Sequence, residues 1–383
     1  MSWWWAGVPA VSAGIGAVAT AAAVARRRHM DRWLPGLLSP RTMPAPRLDG
    51  PPVHVFLAMC DHYEPQWGKP AKKIAIERVE RWRNEYPRLF QRFADSSGRP
   101  PQHTFFFPAD EYQPEYLDLL ADLCHEGYGD VDVHLHHDRD TAENLRDTLE
   151  GYKETLANRH GLLRRDATGR LVYGFIHGNW AMCNSRRDGC WCGVERELTV
   201  LRETGCYADF TMPAAPADGQ TKIVNSIYYS TERGRRSNDH GQLARVGQTP
   251  PDDSLLMVQG PLGFNWRDRK WGLVPRLENA DIHKNFPPSW QRMQLWTDIG
   301  VRVQGRADWV FVKLHTHGAK PGNIDLWLSE KMQAFHASLE EQRSANPAFQ
   351  YHYVTAWEMA QLVHAAEAGV TDPAHILAGA VLV

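Results

Sequence analysis

The chain has 383 residues, enough for one large α/β domain or two medium ones, and its 43% hydrophobic and 23% charged residues supply a sizeable core. A formal net charge of −2 gives no electrostatic footing for nucleic acid, so no nucleic-acid partner is expected. The six cysteines follow no CxxC…CxxC pattern; Cys183, Cys190 and Cys192 lie close enough for a metal or disulfide knot, but free buried thiols in a reducing compartment are the simpler reading. Fifteen tryptophans offer faces that stack on sugar rings, although they also fill large cores.

Residues 3–25 carry no charge and are followed by Arg26-Arg27-Arg28-His29. The length suits a single membrane span, and no Lys or Arg precedes it as in a secretory signal. Positive charge after the span predicts an N-terminus outside and a membrane-associated main body in the cytoplasm. An anchor over 1–28 is then followed by a Pro-rich linker over 29–52, where Pro35, Pro40, Pro44, Pro46, Pro51 and Pro52 argue against regular structure. The folded domain spans 53–383.

Within that domain, strand patterns fall at 54–59, 102–108, 131–135, 171–177, 207–211, 223–229, 255–259 and 309–315. Helical patterns fall at 72–86, 114–125, 141–157, 194–203, 325–345 and 356–367. Alternation of this kind predicts parallel βαβ units, and seven or eight strands in one run predict a closed, distorted (β/α) barrel. Residues 230–252 are polar and turn-rich and read as a long surface loop or lid.

In a parallel barrel the active site gathers at the C-terminal ends of the strands. Those ends carry Asp61-His62, then His136-His137-Asp138 with Asp140 two residues on, then His177-Gly178-Asn179-Trp180, and finally His315-Thr316-His317. Imidazole and carboxylate at four separate strand ends point to a divalent metal, zinc first, since nitrogen and oxygen donors converging at one place are what such an ion needs. His134 and His136 share a face, and His136 is nearer the strand end. Asp140-Thr141-Ala142-Glu143 also spells a helix capping box, a structural job for Asp140. Glu64, beside Pro65, reads as a spare carboxylate in a turn.

Residues 53 to about 320 resemble the NodB-homology polysaccharide deacetylases, carbohydrate esterases built on a distorted (β/α) barrel. The resemblance rests on Cys60-Asp61 closing the first strand, Thr104-Phe105-Phe106 in the second, the VDVHLH strand ending at His136, and Leu314-His315 near the end. It implies a metal-dependent hydrolase removing N- or O-acetyl groups from a sugar. Asp61 and His136 would be the leading ligands, with His62, His137 or Asp140 completing the set. His177 would be the candidate base and His315 the acid that protonates the leaving amine; Lys313 and His317 share the face of His315, and a nearby cation would lower its pKa. Trp180 and Trp266 are candidates to stack on sugar. The chain departs from the family pattern where Cys60 replaces a catalytic Asp, where Asp140 stands in the place of a second His, and where the Arg-Pro-Pro-Tyr-Gly type motif is absent. HLHHD (134–138), FIHGNWA (175–181) and VKLHTHGA (312–319) are closer to a subgroup found among exopolysaccharide-biosynthesis proteins. That resemblance implies a lipid-linked sugar or polymer as substrate and the synthesis machinery as partner. The alternatives are a glycoside hydrolase, which needs two carboxylates across the bond, and a non-catalytic polysaccharide- or synthase-binding protein.

Overall fold

The computed structural model describes residues 20–379 other than 21, 40–44, 46–49 and 192. Most of the expected span at 3–25 lies outside the described residues, and none of the described helices is long and apolar enough to cross a membrane.

The stretch read as an irregular linker contains a helix, α1 (Met30–Leu38), with Pro35 inside it. Proline removes one backbone donor and disfavours a helix interior. Burial of Trp33 (3% exposed) in a cluster with Ala215 and Leu262, bordered by Leu34 and Leu37, outweighs that cost. Gly36 lets α1 approach the domain, because a Cβ there would lie 2.2 Å from the Lys222 carbonyl oxygen. Gly36→Val is therefore expected to lower unfolding free energy by about 1–3 kcal/mol, read from chemical denaturation of the full chain.

β1 (Val53–His62), β2 (His103–Pro108), β3 (Gly129–Leu135), β4 (Leu171–His177) and β5 (Cys206–Asp209) lie side by side and parallel, in chain order. Helices α2 (Lys72–Phe90), α3 (Pro114–Leu123), α4 (Ala142–His160) and α5 (Glu197–Thr204) fill the connections. α2 runs beyond its expected end and through Pro87, because its buried stripe of Ala75, Val79, Trp82, Tyr86 and Phe90 continues to the last turn. β6 (Ile227–Thr231) is antiparallel to β7 (Ser254–Val258), and β8 (Gly263–Lys270) forms a separate hairpin with β9 (Val274–Glu278). α6 (Trp290–Ile299), β10 (Trp309–Thr316), α7 (Asn323–Trp327), α8 (Glu330–Ala345), β11 (Phe349–Val354) and α9 (Ala356–Glu367) complete the chain. β1 is central: β10 pairs with it on one side, while β11 and β2 share the other, β11 along its first half and β2 along its end.

The result is a mixed α/β fold with a mostly parallel sheet ordered β10-β1-β2-β3-β4-β5-β7-β6 and ending on the short pair at Gln242–Leu243. The expected closed barrel is not formed by continuous strand pairing. Between the two end strands there are isolated bridges, Asp281 to His315 and Arg245 to Gln304. Ala280 at φ 66° interrupts the extended backbone beside the first of them. Residues 230–252, expected as a long surface loop or lid, are held down: Ser237, Asn238 and Asp239 are buried, and Arg236 ties the segment to Ser185 and Gln220.

Along β1 the side chains alternate between two cores. Val55, Leu57 and Met59 join the layer under the helices, whereas Phe56, Ala58 and Cys60 join the inner one. α9, held by a capping box between Thr355 and Glu358, packs into the inner core with Phe56 and Trp309, near the starts of their strands.

Candidate functional site

Strand parity decides which residues at the end of β1 face inward. Asp61 points to the helix layer, where its oxygens accept from the Gly318 amide (2.7 Å) and contact His103 Nε2 (2.8 Å). With Trp82 Nε1 donating to the Gly318 carbonyl (3.3 Å), Asp61 pins the loop after β10 onto the sheet instead of joining the metal-ligand candidates. Cys60 faces inward, fully buried, and burial pushes its thiol up to about 12, so it does not replace a carboxylate base. All the described cysteines are free thiols, Cys190 exposed and Cys60, Cys183 and Cys206 buried.

The inward residues form a first cluster. Glu64 Oε1 lies 3.0 Å from His136 Nε2 and 3.6 Å from His134 Nε2. His134 Nδ1 lies 2.7 Å from the Ile176 carbonyl oxygen, an acceptor, which puts its hydrogen on Nδ1 and a lone pair on Nε2. His136 Nδ1 faces Asp110 Oδ1 at 3.3 Å, so its Nε2 is likewise turned to Glu64. Glu64 Oε2 and His134 Nε2 are buried without hydrogen-bond partners. An N₂O donor set with outer acceptors fixing both rings fits a divalent ion of the zinc type. With protons alone, burial lowers the His136 pKa but Asp110 and Glu64 push it up to about 10, and the two imidazoles hold Glu64 well below the usual carboxylate range against its own burial.

The cluster stands on the wall of a cleft of about 440 Å³ that is also lined by His62, Trp67, Trp180, Asp281, His317 and Lys320. His317 stacks on His62 with centroids 4.8 Å apart, and its Nε2 lies 3.9 Å from Glu64 Oε2. Burial holds His62, His315 and His317 below the ordinary histidine range; for His315 the Lys313 ammonium adds to it, as the shared face predicts. Lys313 is itself lowered to about 8 by burial and donates to the Met212 carbonyl at 3.1 Å. Burial raises Asp281 to about 6. Lys320 lies 4.3 Å from the Trp67 ring centroid, steadying that indole. Trp266 is 57% exposed on the β8–β9 hairpin and takes no part in the cleft.

His137 and His177 leave this cleft. They meet Glu197, from the first turn of α5, in a second cluster, so His177 is not free to serve as a base in the cleft. Asp140 orients His137, contacting its Nδ1 at 3.1 Å, and its other oxygen accepts from the Thr141 amide and the Asn144 side chain. The cap of α4 is Thr141, not Asp140. Sequence reading thus missed Glu64 and His134 as candidate ligands, and Asp110, Asp281 and Glu197 altogether. For the first two a signal existed, since Cys60, His62 and Glu64 alternate, as do His134 and His136.

Neither a family model nor a curated protein matches the chain. Among solved structures, it is similar to a Mycobacterium smegmatis protein assigned as a polysaccharide deacetylase, at 13% identity and TM-score 0.43 over 85% of this chain and 96% of that one. It is also similar to a 4-alpha-glucanotransferase of Thermococcus litoralis (13% identity, TM-score 0.42, 80% of this chain and 40% of that one). A third is an alpha-mannosidase of Enterococcus faecalis V583 (10% identity, TM-score 0.42, 82% of this chain and 29% of that one).

Proposed function

We propose that the chain is a metal-dependent carbohydrate hydrolase of the NodB-homology deacetylase type, removing acetyl groups from a sugar or an exopolysaccharide precursor. The observation that carries this reading is the Glu64–His134–His136 donor set opening onto a cleft walled by Trp67 and Trp180. Glu64, His134 and His136 would hold a divalent ion, which would supply Lewis acidity toward a carbonyl oxygen and toward a water molecule. The protein's own groups supply the rest. Trp67 and Trp180 offer indole faces to a sugar ring. His317, kept neutral by burial, is available to accept a proton beside Glu64. Asp281, raised to about 6 by burial, exchanges a proton near neutral pH and is placed to serve a leaving group at the cleft. His315 stands behind His62, with ring centroids 6.1 Å apart. An N-terminal span at 3–25 with the domain on the cytoplasmic side would bring a lipid-linked precursor within reach, and reporter fusions flanking that stretch read the orientation.

The full-length chain, stripped of metal and reloaded with zinc, cobalt or nickel, is expected to release acetate from acetylated amino sugars only when loaded. His136→Ala should abolish that release. Metal-independent release, or none with any of the three ions, would sink the proposal. Glu64 and Asp281 in one cleft also support a second reading, glycoside cleavage by a carboxylate pair. Reducing-end release without acetate would select it.

A further inference from the structure

A second, buried cluster lies outside the cleft and independent of how the cleft is read. His137 follows β3, His177 closes β4, and Glu197 opens α5, so three elements converge on one point. The two Nε2 atoms stand 2.9 Å apart, and Glu197 Oε1 lies 3.5 Å from that of His137 and 3.2 Å from that of His177. His177 is 0% exposed, Glu197 1%, and the His137 side chain 6%.

The hydrogens sit on the far side of both rings. His177 Nδ1 lies 2.6 Å from the Gly178 carbonyl oxygen and His137 Nδ1 lies 3.1 Å from Asp140 Oδ2; both partners are acceptors. Two lone pairs and a carboxylate oxygen with no hydrogen-bond partner therefore face one another away from water. Left so, they repel, and burial makes the repulsion costly. A single proton would bridge only two of the three atoms. A four-coordinate ion with bonds of about 2.0–2.1 Å keeps neighbouring donors about 3.3 Å apart, and the three separations here, 2.9, 3.2 and 3.5 Å, lie on either side of that spacing.

The surroundings hold this arrangement from outside. Glu197 Oε2 accepts from the Cys183 amide at 2.5 Å. Gly193 lies flat against the imidazole of His137, where a Cβ would be 2.1 Å from Cε1, and its carbonyl accepts from the Asp140 amide at 3.1 Å. Among the described residues between the ligands, Asn179, Trp180, Cys183, Asn184 and Arg196 all take positive φ, conformations that non-glycine residues adopt at a cost.

We propose that His137, His177 and Glu197 form a second metal centre, taking a divalent cation of the zinc class. It fastens the 178–196 segment, and with it the cleft-lining Asn179 and Trp180, to the ends of β3 and β4. The test uses the full-length chain, stripped and dialysed against zinc, with bound metal counted by mass spectrometry. The wild type should hold one equivalent more than Glu197→Gln and His177→Gln, and zinc should raise its melting temperature by more than theirs. Should those variants fail to fold, anomalous scattering at the zinc edge from wild-type crystals gives the answer directly, as a peak between the three side chains. Equal metal content in wild type and variants, or no peak at that point, overturns the proposal and leaves a shared proton as the occupant. Glu64→Gln separates the two centres, because it should leave this equivalent in place.

Discussion

Glu64→Gln is expected to lower kcat/KM for acetate release on the order of 10³-fold and to weaken metal binding in the cleft. Substitutions of groups that merely orient metal ligands cost about 10–100-fold, and removing a direct charged donor costs more. The amide keeps the volume of Glu64 but loses the anion that His136 Nε2 faces at 3.0 Å. Asp110→Asn, which touches the same histidine through Nδ1, should fall in the 10–100-fold range. Steady-state kinetics over a zinc titration distinguishes the two, since excess metal should restore Asp110→Asn more fully. If Glu64→Gln kept wild-type activity at limiting zinc, Glu64 would not be a ligand.

Acid is expected to unfold the protein steeply below about pH 6. His336 is buried between Phe90 and Phe93, its Nδ1 lies 2.7 Å from the Tyr353 hydroxyl, and burial lowers its pKa to about 3. His352 is lowered to about 3 as well, by burial and then by its neighbour His54. A histidine whose folded pKa is depressed takes up its proton in the unfolded chain first. Its contribution is therefore intact above pH 6.5 and is lost as pH falls from there toward 3. For His336 the loss amounts to about 5 kcal/mol at the lower end, on the scale of about 1.4 kcal/mol per pKa unit. Denaturation curves for wild type and His336→Phe between pH 4 and 7 test this. The variant should show a shallower dependence on pH, by close to one proton, and equal slopes would contradict the assignment.

Much of the sheet was legible in the sequence because a buried parallel strand leaves a strong pattern. The run from Leu171 to His177 coincides with β4, and α9 matches its expected bounds. Where reading failed, tertiary contacts had overridden local rules. Pro35 spoke against α1, yet the Trp33 cluster holds that helix. β11 was not foreseen, although Phe349, Tyr351 and Tyr353 alternate with Gln350 and His352 and join one core, and it pairs with the first half of β1. For the site, resemblance to a family pattern favoured Asp61 where strand alternation already turned it away from His62. Glu197 was out of reach for a different reason. It lies on a helix far along the chain from His137, and only the packing of α5 beside the end of β4 brings them together.

His136 and His137 are consecutive, yet each belongs to a different cluster. The turn that follows β3 is accordingly gripped from both sides, by Glu64 through one imidazole and by Glu197 through the next. Surface loops ordinarily accept insertions and deletions with little penalty. Here an added or deleted residue between Leu135 and Asp140 would rotate one histidine or the other out of reach, so the length of this connection is as constrained as that of a core strand. Libraries that graft new specificity onto the cleft should vary the chain around Trp67 and the lining residues His283, Lys284 and Asn285, and leave this turn at its present length.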